Sequence, residues 1–134
     1  MKGSCSCGKV SFEATAEPLF HDHCHCHSCR AYHCAPFCST LVYNNQDFKV
    51  TEGSQHLFKV NITPQTDRYS CDTCRTPIYN DPLTFPMPII VTFPMLFKEL
   101  DSKPQYHIWV SHAVFPEASL KDGLPRYPEW PPMP

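Results

Sequence analysis

Cysteine and histidine are concentrated between His21 and Cys38, a stretch that holds five of the nine cysteines and five of the eight histidines. Within it, residues 24–30 read CHCHSCR, a C-x-C-x-x-C run followed by an arginine. Thiols this close along the chain rarely reach the separation and dihedral angle that a disulfide needs. They can instead converge on one soft divalent metal ion, for which zinc is the usual choice. Three protein ligands leave one tetrahedral position free, which is the arrangement of a catalytic zinc site.

The spacing of Cys24, Cys26 and Cys29 does not by itself decide whether this site is open or closed. Cys34 or a neighbouring histidine could supply a fourth ligand, and a zinc ion with four protein ligands is structural. In an open site, three thiolates leave the zinc complex negatively charged, so a soft sulfur atom suits it better than a hard oxygen. An open site therefore favours the chemistry of a substrate thiol.

Two residues beside these cysteines are candidate catalytic groups, His25 and Arg30. His25 alternates with cysteines, so in an extended chain its ring points away from the metal, and we expect a solvated side chain on a loop. The alternative is a proton carrier near the metal, a role that His23 could also take. Arg30 could bind a substrate carboxylate through two hydrogen bonds, or it is an arginine that braces the loop.

Two further cysteine pairs, Cys5 with Cys7 and Cys71 with Cys74, are separated by a long insertion. Close pairs at this separation are typical of a closed zinc site with four thiolate ligands. Such a site is structural and contributes folding free energy, roughly 10 kcal/mol or more in small zinc domains. A redox C-x-x-C motif is the alternative, and it is disfavoured because no βαβ pattern surrounds Cys71.

The elements that position these cysteines are predicted to be short strands. Val10, Phe12 and Ala14 alternate with polar residues directly after the first cysteine pair. Further strand patterns occupy residues 36–43, 48–50, 57–62, 89–93 and 107–110. Fifteen prolines against four glycines disfavour long helices, and the stretch rich in histidine and cysteine is too polar for a packed helix beyond one turn at residues 30–34. The proline-rich tail from Glu117 is expected to wrap the surface.

Composition limits the fold and the partners. A chain of 134 residues can form one domain, predicted here to span residues 1–134, with a single core. The net charge of −2, with both signs interspersed, gives no indication of nucleic acid or an anionic membrane surface as partner. Neither a membrane-spanning apolar run nor a signal peptide is evident. An odd number of cysteines at chelating spacings favours a reducing, cytoplasmic setting over a disulfide framework.

Three motifs, taken in order, resemble the glutathione-dependent formaldehyde-activating enzyme family, which includes proteins like centromere protein V. They are residues 3–13 (GSCSCGKVSFE), residues 24–30 (CHCHSCR) and residues 68–77 (RYSCDTCRTP). Residues 107–110 (HIWV) and 122–127 (DGLPRY) are similar to the closing segment of that family. The resemblance covers nearly the whole chain.

The resemblance implies a mainly β fold, a single-domain β-tent of short antiparallel strands built around zinc knuckles, with two zinc ions. One ion would be structural, and its ligands would be Cys5, Cys7, Cys71 and Cys74. The other would be catalytic, and its ligands would be Cys24, Cys26 and Cys29. The implied activity is that of a carbon–sulfur lyase that adds glutathione to formaldehyde or cleaves such adducts.

The sequence departs from the family at two positions where glycine is usual, Cys34 and Arg75. Glycine at such points permits a tight turn or the close approach of a ligand. We therefore predict a zinc-dependent lyase that acts on a small thiol adduct, and two alternatives stay open. The open zinc could serve dehydration, isomerisation or rearrangement of another metabolic intermediate, or the chain is a non-enzymatic zinc module that binds a protein partner.

Overall fold

The alternating residues after the first cysteine pair form a strand, as predicted. In the computed structural model, which describes residues 1–115 and 120–133, Val10, Phe12 and Ala14 are all buried. The intervening Ser11 and Glu13 are only half-buried, as alternation along a strand requires. The predicted surface-wrapping tail begins at Glu117, which lies outside the described residues.

Within the described residues the chain forms ten strands, one α-helix and four short 3-10 helices. The strands are β1 Lys2–Ser4, β2 Ser11–Ala14, β3 Phe20–Cys24, β4 Cys38–Asn44, β5 Phe48–Glu52, β6 Leu57–Thr63, β7 Thr66–Cys71, β8 Pro77–Pro82, β9 Ile89–Thr92 and β10 Tyr106–Ile108. The helices are α1 His27–His33 and the 3-10 segments Asn45–Asp47, Ser54–His56, Pro94–Leu96 and Val110–His112. The prediction of a mainly β fold is confirmed.

The first of two compact units comprises Met1–Leu19 and Leu41–Asp101. It contains a three-stranded antiparallel sheet in the order β1-β2-β5 and an antiparallel series in the order β4-β9-β8-β7-β6. Its core is organised around the Phe12 ring, whose centroid lies 5.5 Å from that of Phe48 and 5.4 Å from that of Phe97. Cys5 and Cys71 belong to the same buried cluster, so two of the predicted zinc ligands are part of this core.

The second unit comprises Phe20–Thr40 and Ser102–Pro134. Here β3 pairs with β10, and His23 lies opposite His107. The pairing is parallel, so the predicted antiparallel arrangement does not extend to these two strands. Parallel strands need a long connection, and a distant segment of the chain supplies β10. The prediction that residues 1–134 form one domain stays a prediction.

Helix α1 is longer than the single turn predicted at residues 30–34. Cys26 caps its beginning, because the Sγ atom accepts a hydrogen bond from the Cys29 backbone N–H at 3.3 Å. Cys34 ends the helix in the left-handed conformation, with φ of 50°. The expectation that this stretch is too polar for more than one helical turn is therefore wrong. That expectation relied on apolar periodicity, and capping of a helix by a cysteine side chain leaves no such pattern in the sequence.

Other strand boundaries differ modestly from the sequence patterns. The strand predicted for residues 107–110 ends at Ile108, because Trp109 adopts a left-handed conformation with φ of 55°. The pattern of residues 57–62 forms β6 as predicted, but Phe58 and Ile62 remain exposed. No helix in the described part of the chain is both long and apolar enough to cross a membrane.

Candidate functional site

The four cysteines of the two distant pairs lie together in the first unit. Cys5 and Cys7 follow β1, Cys71 ends β7, and Cys74 lies in the turn before β8. Their Sγ atoms all lie within 4.8 Å of one another. The Cys5–Cys7 and Cys7–Cys71 sulfur distances are 3.6 Å and 3.7 Å.

These distances distinguish a shared metal from disulfides. A disulfide would bring two sulfurs to about 2.05 Å, whereas a tetrahedral zinc with bonds of about 2.3 Å separates its sulfurs by about 3.8 Å. The observed distances match the second case, so this donor set fits a zinc ion. Burial of Cys5 and Cys71 in the main core makes the group an integral part of the unit.

Backbone N–H groups in the two knuckle turns donate to the sulfurs and stabilise negative charge on them. Val10 N–H donates to Cys5 Sγ, and Thr73 N–H donates to Cys71 Sγ, each at 3.4 Å. Each turn also contains a residue of positive φ directly after its second cysteine, Gly8 at 80° and Arg75 at 63°. Arg75 thus takes the conformation for which glycine is usual, without a glycine.

The second group consists of Cys24, Cys26 and Cys29, which the structure brings together in the second unit as the sequence predicted. Cys24 ends β3, and the other two begin α1. Their Sγ atoms lie within 4.8 Å of one another, and within residues 1–115 and 120–133 no fourth histidine, cysteine or carboxylate joins them. Cys24 and Cys29 are buried in a small apolar cluster with Ile108, against which Trp109 packs.

The electrostatics of this group call for a cation. The neighbouring Cys26 and Cys29, together with burial, raise the pKa of Cys24 well above its ordinary value. Several thiolates therefore cannot accumulate here unless a positive charge compensates them. A divalent metal provides that compensation, so the donor chemistry of this group also fits a zinc ion.

Cys34 does not belong to either cysteine group among the described residues. Its side chain is exposed, and its Sγ atom donates to the Ala31 carbonyl oxygen at 3.7 Å. Its backbone is left-handed at the end of α1, where its N–H group donates to the Arg30 carbonyl oxygen. Of the alternatives that the spacing left open, closure of the second site by Cys34 is therefore not what the described residues show.

His25 is fully buried, so the expectation of a solvated loop side chain is wrong for this residue. Its Nε2 atom lies 2.8 Å from His107 Nδ1, and His107 Nε2 lies 2.7 Å from an oxygen of Asp122. Phe37 packs against the His25 ring at a centroid distance of 5.0 Å. Burial, together with the nearby His107 and Arg126, lowers the pKa of His25 to about 4, which keeps the ring neutral at physiological pH.

His107 and Asp122 were not predicted as site residues. The parallel pairing of β3 with β10 carries His107 to the side of His23 and His25. The sequence contains one weak signal, a histidine within a predicted strand, but neither spacing nor periodicity connects that strand with residues 24–30. His23 itself is half-buried, and its ring lies 5.1 Å from that of His107.

Arg30 lies on α1 and its guanidinium contacts His27 Nδ1 one turn earlier. The exposed ring of His27 in turn stacks on His112 at a centroid distance of 4.4 Å. Arg30 is thus part of a partly exposed group of basic and aromatic side chains beside the three cysteines. Its predicted contact with a substrate carboxylate stays a prediction.

Comparison with known proteins identifies relatives of this fold and sequence. A crystal structure of a Rhodobacter sphaeroides protein is similar, with a TM-score of 0.63, 18% sequence identity, and coverage of 95% of this chain and 99% of that chain. At that identity the likeness shows the fold alone. Among curated proteins, no significant match is found. The sequence model of one family, described as glutathione-dependent formaldehyde-activating enzyme, matches residues 1–112. The chain therefore belongs to the glutathione-dependent formaldehyde-activating enzyme family.

Proposed function

We propose that this protein is a zinc-dependent carbon–sulfur lyase that acts on a small thiol adduct, with glutathione and formaldehyde as the substrate class. The description of the family supports the substrate class. The observation that carries the proposal is the difference between the two cysteine groups. Four sulfurs gather in one group, whereas three gather in the other, with no fourth ligand atom from the described residues.

We assign a structural role to the four-cysteine group and a catalytic role to Cys24, Cys26 and Cys29. When bound to the three cysteines, zinc supplies Lewis acidity and lowers the pKa of a thiol that binds it. Because the three protein thiolates already exceed the charge of the ion, a soft sulfur substrate is preferred over oxygen. A fourth protein ligand would favour a non-enzymatic zinc module instead, and among the described residues no further histidine, cysteine or carboxylate joins this group.

The proposed reaction is balanced without a further reactant. The thiol sulfur forms a bond to the carbonyl carbon of formaldehyde, the carbonyl π electrons move to oxygen, and the thiol proton ends on that oxygen as a hydroxyl group. The reverse reaction breaks the same carbon–sulfur bond. In this scheme His25 holds the proton in transit and Arg30 binds a substrate carboxylate. Burial of His25 excludes bulk water from its ring.

A test compares two serine variants of the proposed ligands. We expect Cys26→Ser to abolish the exchange between glutathione plus formaldehyde and their adduct, measured by NMR, while the protein stays folded. Cys71→Ser should instead unfold the first unit, because Cys71 is buried in its core. Metal content should fall by one equivalent in the Cys26 variant.

Cys34→Ser is the matched control, because Cys34 is an exposed cysteine that lies in neither group. This variant should retain activity, fold and both metal equivalents. Equal loss of fold in the Cys26 and Cys71 variants would contradict the division into a catalytic and a structural ion. Full activity of Cys26→Ser would exclude the proposed catalytic site.

Two expectations from composition belong to the same proposal. We propose that residues 1–134 act as one domain and that the protein works in a reducing, cytoplasmic setting, because the chain has nine thiols, seven of them at chelating spacings, that need protection from oxidation. A small molecule rather than nucleic acid or a membrane surface is the proposed partner, given the net charge of −2.

A further inference from the structure

Trp109 adopts a backbone conformation that is unusual for a residue with a large side chain. Its φ of 55° lies in the left-handed region, which costs free energy for every residue with a Cβ atom. A strained residue persists only where the surrounding structure holds it, and such residues are concentrated at active sites and ligand clamps. The strain therefore calls for an explanation, and the position of the ring supplies one.

The side chain of Trp109 packs against the small apolar cluster that contains Cys24 and Cys29. The pairing of β10 with β3 brings it there, because Ile108 lies opposite Cys24 and its carbonyl oxygen accepts a hydrogen bond from the His25 N–H at 3.0 Å. Trp109 directly follows this pair and is only half-buried. The ring thus contacts the cluster of buried cysteines and remains partly accessible to a small molecule.

The surrounding residues hold Trp109 through both its backbone and its ring. The backbone N–H donates to the Glu129 carbonyl oxygen at 2.9 Å, and the carbonyl oxygen of Trp109 accepts from the His112 N–H at 3.0 Å. The ring centroid lies 5.1 Å from that of His112 and 5.9 Å from that of Trp130. Contacts with two neighbouring rings, together with the fixed backbone, restrict rotation of the side chain, so the indole is a rigid surface.

We infer that the Trp109 ring is a fixed wall of the substrate site, against which the carbon group attached to the substrate sulfur packs, and that it limits the size of that group. The inference rests on the proposed function, in which the substrate sulfur binds beside Cys24 and Cys29. The hydroxymethyl group that formaldehyde contributes has a single carbon atom. Each further methylene group would have to displace a rigid ring, which is costly in a packed site. Trp109 is thus a specificity-determining residue.

The size limit is tested by calorimetry on the zinc-loaded protein with S-methylglutathione and S-propylglutathione. We expect the wild type to bind the methyl compound roughly 10-fold more tightly or better, which is the discrimination that a difference in methylene groups gives in a fitted pocket. Trp109→Ala should abolish this preference, because it should bind the propyl compound more tightly than the wild type does. A residue with a purely structural role would instead weaken the binding of both compounds when it is replaced.

Further variants keep this test independent of folding. Trp109→Phe retains an aromatic ring and should have an intermediate preference, whereas Met133→Ala, at an exposed apolar residue of the same unit, should keep the preference of the wild type. If the alanine variant does not fold, an unchanged preference in Trp109→Phe overturns the inference. An unchanged preference in a folded Trp109→Ala variant would overturn it as well.

The contact between ring and ligand is tested by NMR. The indole N–H signal of Trp109 should shift when S-methylglutathione binds to the zinc-loaded protein. Trp130→Phe removes the other tryptophan of the chain and so assigns the signal. An indole signal of Trp109 that does not respond to a bound ligand would exclude the ring as a wall of the site.

Catalysed exchange is measured separately, so that the size limit and the proposed function can fail independently. If formaldehyde exchange is catalysed but the wild type does not prefer the methyl compound, the proposed function stands and the size limit is wrong. If the preference is present but no exchange is catalysed, the size limit stands for these ligands and the lyase activity is wrong. If the wild type binds neither compound and catalyses no exchange, both are excluded.

Discussion

Three residues other than glycine in the described part of the chain have positive φ, a backbone conformation that glycine adopts most readily, and Cys34 and Arg75 are two of them beside Trp109. Cys34 has φ of 50° and Arg75 has φ of 63°, and these are the positions at which the sequence departs from the glycine usual in the family. The left-handed conformation costs a residue with a Cβ atom roughly 1–2 kcal/mol. The structure therefore holds both residues in a conformation that a glycine would adopt without this cost.

The first prediction concerns Cys34→Gly. This substitution should raise the free energy of unfolding by up to about 1 kcal/mol, because relief of the left-handed strain exceeds the entropy that glycine adds to the unfolded chain. Ala31→Gly, at an exposed position inside α1, should lower it by about 1 kcal/mol. Urea denaturation measures both effects, and a destabilised Cys34 variant would contradict the prediction.

The second prediction concerns pH and His21. This ring is buried between hydroxyl groups, with Nδ1 3.0 Å from Ser102 Oγ and Nε2 3.1 Å from Ser39 Oγ. Burial, and then the nearby His23, lowers the pKa of His21 to about 4, below about 6.5 in an unfolded chain. Between these values the unfolded state binds more protons, so stability is retained above pH 6.5 and decreases as the pH falls toward 4.

The slope of this loss should be up to about 1.4 kcal/mol per pH unit for one histidine. His21→Gln should reduce the slope between pH 6.5 and 4, measured by urea denaturation at a series of pH values. Gln55→Ala, at an exposed residue of the first unit that carries no titratable group, is the control and should retain the slope of the wild type. Identical slopes for the wild type and His21→Gln would show that His21 does not titrate in this window.

At the scale of the elements, the turns constrain the sequence more tightly than the strands. Gly53 joins β5 to the 3-10 helix before β6 with φ of 76°, and a Cβ atom there would lie 1.9 Å from the Lys9 carbonyl oxygen. Gly8 has a similar φ of 80°, but a Cβ atom there would meet nothing within 4 Å. The two glycines thus share a backbone conformation and differ in the space around them.

The third prediction follows from this difference. Gly8→Ala should cost about 1–2 kcal/mol, which is the strain of the left-handed conformation alone. Gly53→Ala should cost clearly more, because the backbone of Lys9 must also move. Thermal unfolding of the two variants at equal metal loading measures the costs, and equal values would mean that the contact with Lys9 is relieved without cost.

Local patterns account for the part of the fold that the sequence could predict. The alternation of Val10, Phe12 and Ala14 predicted β2, because a half-buried strand is a local pattern of period two. The two close cysteine pairs, one beginning at Cys5 and the other at Cys71, predicted that their thiols converge, because two such pairs are typical of one zinc site. The burial of His25 could not be predicted, because it depends on the parallel pairing of β3 with β10 across a long stretch of sequence.

At the scale of the whole molecule, each compact unit contains one cysteine group. The four-cysteine group belongs to the first unit and shares its main core, whereas the three-cysteine group belongs to the second unit and to a small apolar cluster. Metal bound to four core-linked thiolates stabilises the folded state by its binding free energy, on the order of 10 kcal/mol. Loss of metal should therefore affect the two units unequally.

The fourth prediction concerns metal removal. A chelator that removes all metal should abolish hydrogen-exchange protection of β2 and β7 in the first unit, because Cys5 and Cys71 are buried among the residues that these strands contribute to the core. Cys26→Ser without chelator should leave that protection intact. Exchange measured by mass spectrometry distinguishes the cases, and protected β2 and β7 strands in metal-free protein would contradict a structural role for the first group.

The placement of Trp109 against the three-cysteine cluster has a practical consequence. The chain contains two tryptophans, Trp109 and Trp130, and both belong to the second unit. Their ring centroids lie 5.9 Å apart. Because both tryptophans belong to the second unit, fluorescence excited at the red edge of the absorption band originates in that unit alone. The intrinsic emission of the unlabelled protein is thus an optical reporter for the neighbourhood of Cys24 and Cys29. It allows metal loading and ligand binding at these cysteines to be followed in real time.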